Sequence, residues 1–201
     1  MRIGMFGGTF NPPHNGHVTM ARAAVNQLGL DKLLIVPDCV PPHKPLPSGV
    51  TARQRYDMAA LMAASVGRMA EASDIEVFRE GTIYTVDTLT ILTAQHPETD
   101  FYYIIGADTL LDLPNWRNTK KVCTMCRFIC VRRPGIDSRR MEETLERLHA
   151  ECDANVEMVN AFGPDISSTE IRNRIRSGEP TDGLLPEAVR VYIDREKLYR
   201  L

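Results

Sequence analysis

Two histidines, His14 and His17, stand three residues apart around Asn15-Gly16, just beyond the paired glycines Gly7-Gly8. Imidazoles at that spacing, one on the first turn of a helix and one just before it, can donate to a single anion. Beside a polyphosphate they gain protons readily, so they suit the neutralisation of charge that develops on a phosphoryl group. Glycines ahead of a helix let the backbone approach such a ligand while the first helical N–H groups face it. Gly16 adds no side chain to crowd the phosphate, and Asn15 is expected to cap the helix. Gly4, Gly7 and Gly8 match neither the dinucleotide pattern GxGxxG nor the P-loop pattern, which sets aside dehydrogenases and P-loop ATPases. A zinc site is the other use for neighbouring histidines, but the segment holds no supporting Cys, Asp or Glu.

A second group of anion-binding residues lies near the other end, in Ile166-Ser167-Ser168-Thr169-Glu170-Ile171-Arg172. Ser167 and Glu170 have capping-box spacing, which predicts a helix start there. A hydroxyl at Ser168, a guanidinium at Arg172 and the free N–H groups of that helix can together grip a polyphosphate. Between the two groups, Gly106-Ala107-Asp108 follows an apolar run, and an acidic residue just past a strand can accept hydrogen bonds from ribose hydroxyls. Trp116, the single tryptophan, sits in a polar stretch where a flat aromatic ligand could stack on it.

These residues need a scaffold that gathers them, and the apolar periodicity supplies one. Strands are expected at 2–6, 32–37, 74–78, 101–105, 127–132 and 156–160. Helices are expected at 16–28, 51–72, 86–95 and 139–152, with two more beginning near Thr169 and Pro186. The Met58, Met62, Val66, Met69 stripe reads as the core-facing side of the long helix. Residues 108–126 read as broken helical pieces around Pro114. Such alternation predicts an α/β fold, a doubly wound parallel sheet whose strand C-termini share one edge, with a short C-terminal helical segment. Ligands bind at that edge, and the Pro-rich loop after the second strand places Lys44 there.

A chain of 201 residues is expected to form one domain, 1–201. A formal charge of −2 gives no basic footprint, so nucleic acid and anionic membrane are not expected partners. No apolar run approaches a bilayer span and no leader pattern opens the chain, so a cytoplasmic protein is expected. Five cysteines, an odd set, read as reduced thiols. Cys123, Cys126 and Cys130 read as packing residues, since neither Cys39 nor Cys152 lies at a spacing that would complete a metal site.

The segment GGTFNPPHNGH resembles the signature of the HxGH nucleotidyltransferase superfamily, and ISSTEIR resembles its companion ISSTxIR. IYTVDTL, GADTLLDLPNWRN and the ending LPEAVRVYIDREKLY resemble one branch, the bacterial nicotinate-nucleotide adenylyltransferases. The resemblance spans essentially the whole chain and implies a Rossmann-like nucleotidyltransferase fold. It implies ATP contacts along Gly7, Gly8, Thr9, Phe10, Gly16, Gly106, Asp108, Ser167 and Ser168. By the same resemblance His14, His17, Lys44 and Arg172 stabilise the reacting phosphates, and Tyr84, Thr85 and Trp116 hold the pyridine nucleotide. The implied substrates are ATP and nicotinate mononucleotide, with Mg²⁺ carried on the ATP phosphates and no metal held by the protein itself. Asn11 departs from the Asp of many members, which removes a charge without much change of size. An acceptor of nicotinamide mononucleotide or 4′-phosphopantetheine, and a regulatory module that binds nucleotide without turnover, stand as alternatives. A homo-oligomer is left open.

Overall fold

The structure, a computed structural model, describes residues 1–39, 49–132, 137–161 and 166–200. Six strands form one sheet: β1 (Arg2–Gly8), β2 (Lys32–Pro37), β3 (Ala70–Ala72), β4 (Asp100–Gly106), β5 (Arg127–Arg132) and β6 (Val156–Asn160). Their order is β3-β2-β1-β4-β5-β6, and every neighbouring pair is parallel. The chain therefore winds outward from β1 in both directions, and the crevice between the C-terminal ends of β1 and β4 is the switch point where such sheets bind ligands.

Alternation along the two central strands explains why both sheet faces are covered. Ile3 and Met5 of β1, with Phe101, Tyr103 and Ile105 of β4, enter one apolar cluster; Phe6, Tyr102 and Ile104 enter the other. The first cluster packs under α3 (Thr85–Gln95), α4 (Ala107–Asp112), α5 (Thr119–Met125) and α6 (Ser138–Cys152). The second packs under α1 (Asn15–Leu28), α2 (Ala52–Val66), α7 (Ser168–Ser177) and α8 (Glu187–Arg195). Leu185, Val189, Ile193 and Leu198 of the C-terminal segment lie in this same cluster as Met58 and Met62, and the Tyr192 hydroxyl meets Asp57 at 3.2 Å.

Two expected elements were misplaced. The helix expected over 51–72 stops at Val66, and the strand expected at 74–78 is a series of turns. The real edge strand, β3, lies inside the stretch assigned to the helix, paired as Leu33↔Ala70 and Ile35↔Ala72. Gly67 causes the break: its N–H still donates to the Ala63 carbonyl at 3.2 Å, but its backbone, at φ 145° and ψ 178°, leaves the helix in a conformation suited to glycine. Met69 consequently falls off the helical stripe and stands 48% exposed, whereas Met58 and Met62 are fully buried.

A side chain at Gly67 would meet open space, so strain alone penalises it. Gly67→Ala is expected to lower stability by about 1–3 kcal/mol, read as a lower urea midpoint at unchanged m-value. An unchanged midpoint would show that the backbone there relaxes freely.

Candidate active site

The segment after β1 turns sharply before α1. Phe10 takes a left-handed backbone, φ 46°, while its ring is buried, and His14 closes the turn as the residue that caps the helix. The His14 N–H donates to His17 Nδ1 at 3.1 Å, and the two rings stack with centroids 3.7 Å apart and planes 31° apart. The edge of His17 also meets Phe10 at 5.1 Å. Because His17 Nδ1 accepts a backbone proton, the ring proton sits on Nε2, and His17 can serve as a neutral donor.

Asn15 does not cap the helix. Its side-chain amide donates to the Gly183 carbonyl at 2.8 Å and its N–H donates to Leu184 at 2.9 Å, so it fastens the C-terminal segment to the histidine turn. Gly16 is buried in the first turn of α1 and is not among the residues that line the cleft. The glycines of β1 do form the cleft wall. A Cβ on Gly7 would collide with the Tyr103 hydroxyl, and one on Gly8 would press the Phe10 ring at 3.3 Å.

Arg55, on α2, holds the near side of this turn. It is completely buried; its guanidinium donates to the Thr9 carbonyl (3.0 Å), to the Asp38 carboxylate (2.7 Å) and to the Cys39 carbonyl (2.6 Å). The Thr9 hydroxyl donates to the other Asp38 oxygen at 2.9 Å. Burial raises the Asp38 carboxyl above its usual range, against the pull of Arg55 and Thr9. Cutting one partner from such a pair leaves a charge without compensation in a dry place.

The far side is held by α7. Ser167 caps that helix, accepting from the Glu170 N–H at 3.1 Å, but the Glu170 carboxylate turns to Arg174 at 2.8 Å, so the capping box is only half made. Ser168 donates to the Pro12 carbonyl at 2.8 Å. Arg172 donates to the Asn11 carbonyl at 2.8 Å and to the Thr169 hydroxyl at 3.0 Å. Tyr199, beyond α8, donates to Asn11 Oδ1 at 2.6 Å. In this state the ISSTEIR residues grip the histidine turn itself, with Arg172 and Ser168 still on the cleft wall.

The opposite wall comes from β4, α3 and the segment around Trp116. Gly106 caps α4, and a Cβ there would meet Met20 only at an ordinary 3.7 Å. Asp108 is exposed on the first turn of α4. Trp116 packs edge-on against Tyr103, with centroids 5.6 Å apart, and its carbonyl accepts from the Thr119 hydroxyl at 2.8 Å. Tyr84 precedes α3, with its N–H donating to Asp87 at 3.3 Å, and the Arg117 guanidinium lies 4.6 Å over its ring. Glu76 completes this wall and accepts from the buried Thr88 hydroxyl at 2.6 Å.

One cleft of about 940 Å³ is lined by Gly7, Gly8, Thr9, Phe10, His14, His17, Tyr84, Thr85, Gly106, Asp108, Trp116, Ser167, Ser168 and Arg172. Residues scattered from 7 to 172 thus share one space. Lys44 lies outside the described residues. Asp38, Arg55, Glu76 and Arg117 were not singled out from the sequence, because each owes its role to a partner distant in the chain. The Cys152 Sγ lies 3.2 Å from that of Cys123.

The description of the cytidylyltransferase-like family matches residues 5–174. The chain is 38% identical over 200 residues to a protein of Desulfitobacterium hafniense named probable nicotinate-nucleotide adenylyltransferase, covering all of this chain and 96% of that one. It is 40% identical to a protein of the same name from Gloeobacter violaceus, covering 98% of this chain and 96% of the other. Its fold is similar to that of the Plasmodium falciparum nicotinic acid mononucleotide adenylyltransferase complexed with NaAD, with a TM-score of 0.79, 22% identity, and coverage of 98% of this chain and 97% of that one.

Burial pushes the Glu76 carboxyl up to about 7 from an ordinary 4.5; Thr88, Asp38, Arg79 and Asp87 act as smaller influences of mixed sign. Between those two values the folded chain keeps a proton that the unfolded chain has released, so stability falls as pH rises through the window. The fall attributable to this group is on the order of 2–3 kcal/mol. Glu76→Gln is expected to remove that part of the pH dependence in urea titrations at pH 5 and pH 7.5. Parallel losses in variant and wild type would show that Glu76 ionises alike in both states.

Proposed function

The chain belongs to the cytidylyltransferase-like family, in the branch of the nicotinate-nucleotide adenylyltransferases, and from that membership we propose that it transfers AMP from ATP to nicotinate mononucleotide, a step of NAD biosynthesis. The observation that carries this reading is a single cleft that brings the stacked histidines and the start of α7 together with Tyr84, Thr85 and Trp116. α7 and α8 share a core with α1 and α2, which supports treating 1–201 as one nucleotidyltransferase domain.

An oxygen of the acceptor's 5′-phosphate attacks the α-phosphorus of ATP. The new phosphorus–oxygen bond forms as the bond to the bridging oxygen breaks, and pyrophosphate leaves with that electron pair, giving nicotinate adenine dinucleotide. No covalent enzyme intermediate is needed. The protein's work is to hold two anions in line and to stabilise the charge that gathers on them. His17 Nε2–H, His14 and the Arg172 guanidinium act on the reacting phosphates, and Lys44 joins them. Gly7 to Phe10, with Ser167 and Ser168, contact ATP, while Gly106 and Asp108 face its ribose and base. Trp116 stacks on the pyridine ring, next to Tyr84 and Thr85.

The donors in the cleft are N–H groups, imidazoles and hydroxyls, which suit phosphate oxygens. Among the described residues no group of three His, Cys, Asp or Glu could hold a metal ion. Mg²⁺ fits as an ion carried on the triphosphate, with few protein ligands. When bound, it neutralises charge on the phosphate oxygens. Among the described residues no helix is long and apolar enough to cross a membrane. Five free cysteines suit a reducing cytoplasm, the location we propose.

Incubation with Mg-ATP and each of nicotinate mononucleotide, nicotinamide mononucleotide and 4′-phosphopantetheine tests the reading by pyrophosphate release. Release is expected to be fastest with the nicotinate nucleotide. Release with another acceptor alone would overturn the substrate, and none with any acceptor would favour a nucleotide-binding module. His17→Ala is expected to lower turnover by about a hundredfold, the loss typical of one preorganised donor. Wild-type turnover in a folded variant would remove His17 from the mechanism.

A further inference from the structure

Nicotinate and nicotinamide nucleotides have almost the same shape and differ by one negative charge. Stacking cannot separate them, so discrimination needs a group that interacts with charge. The carboxyl groups that line the cleft, those of Asp38, Glu76 and Asp108, offer no attraction to a further carboxylate. Among the described residues on its wall, the guanidinium groups are those of Arg117 and Arg172. Arg172 already donates to the Asn11 carbonyl and Thr169.

Arg117 lines the same cleft, in sequence directly after Trp116. Its guanidinium carbon lies 4.6 Å over the Tyr84 ring, and among the described residues it makes no ion pair. A guanidinium held over an aromatic ring is steadied by the attraction between its charge and the ring. The N–H donors at its edge stay available to a planar acceptor with two oxygens. The segment that carries it is fixed in turn: the Thr119 hydroxyl donates to the Trp116 carbonyl at 2.8 Å and to the Leu113 carbonyl at 3.0 Å.

Resting on the proposed function, we infer that Arg117 is a specificity-determining residue, whose guanidinium pairs with the pyridine carboxylate and makes the enzyme prefer the acid to the amide. The Tyr84 ring is its platform, and Trp116 holds the pyridine ring beside it. The pairing is made with the ground-state substrate as much as with the transition state, so its loss acts on KM more than on kcat. Arg117 is solvent-exposed, which limits the effect to about tenfold and makes it sensitive to salt.

The test is the ratio of kcat/KM for nicotinate over nicotinamide mononucleotide, measured at saturating Mg-ATP in wild type, R117Q and R117K. R117Q is expected to lower the ratio by about tenfold, chiefly through a higher KM for the acid, with the KM for ATP held within twofold. R117K, which keeps the charge but loses the fork, is expected to fall between. Added salt should erode the acid preference of wild type more than that of R117Q. A ratio in R117Q within twofold of wild type, in a chain that adenylates the acid, overturns the inference and leaves the proposed function standing. A wild-type chain inactive on both pyridine nucleotides overturns the two together.

Discussion

Arg55 has no exposed surface, and its guanidinium binds oxygens of three residues: Thr9, Asp38 and Cys39. Thr9 begins the histidine turn, and Asp38 and Cys39 follow β2, so one buried cation ties together what leaves two neighbouring strands. A cation can be kept in so dry a place only if its neighbours compensate it, and here a carboxylate and two carbonyls accept hydrogen bonds from its two terminal nitrogens, while Nε has no partner among the described residues. The turn they hold is not a relaxed one, for Phe10 adopts a left-handed backbone and His14 is buried. Without Arg55 the neighbouring strands would still pair, but the turn between β1 and α1 would lose its inner support.

The outer support comes from the other end of the chain. Ser168, Arg172, Tyr199, Gly183 and Leu184 all bond to residues between Asn11 and Asn15. The histidine turn is therefore clamped between α2 on one side and the C-terminal segment on the other. Arg172 and Ser168 have a double occupation, since the groups that face the cleft are also those that hold its floor. A ligand phosphate that drew Arg172 away would have to compensate for the Asn11 carbonyl it leaves.

Much of this was legible in the sequence, for reasons that can be named. The strands at β1, β2, β4 and β5 announced themselves because both faces of a parallel sheet are buried, so each reads as an unbroken apolar run. The histidine pair and ISSTEIR were legible because their chemistry is local. Edge strand β3 was not, since its three residues, Ala-Glu-Ala, look helical until Leu33 and Ile35 are there to pair with them. Asn15 was a sound cap by residue type, but tertiary partners at Gly183 and Leu184 claimed it and left the cap to His14. Arg55 sits among ordinary helix residues, and nothing in its spacing reveals Asp38 as a partner.

The meeting of Gly7 and Tyr103 carries a consequence for how such a chain can change over generations. A methyl group on Gly7 would occupy the place of the Tyr103 hydroxyl, so a larger residue at position 7 is compatible with the fold only once position 103 has lost that oxygen. Tyr103 in turn packs against Trp116, which lines the cleft, so the permissive change would alter the cleft wall beside Trp116. The two positions are therefore epistatic. A lineage that enlarges position 7 must first displace or lose the Tyr103 hydroxyl.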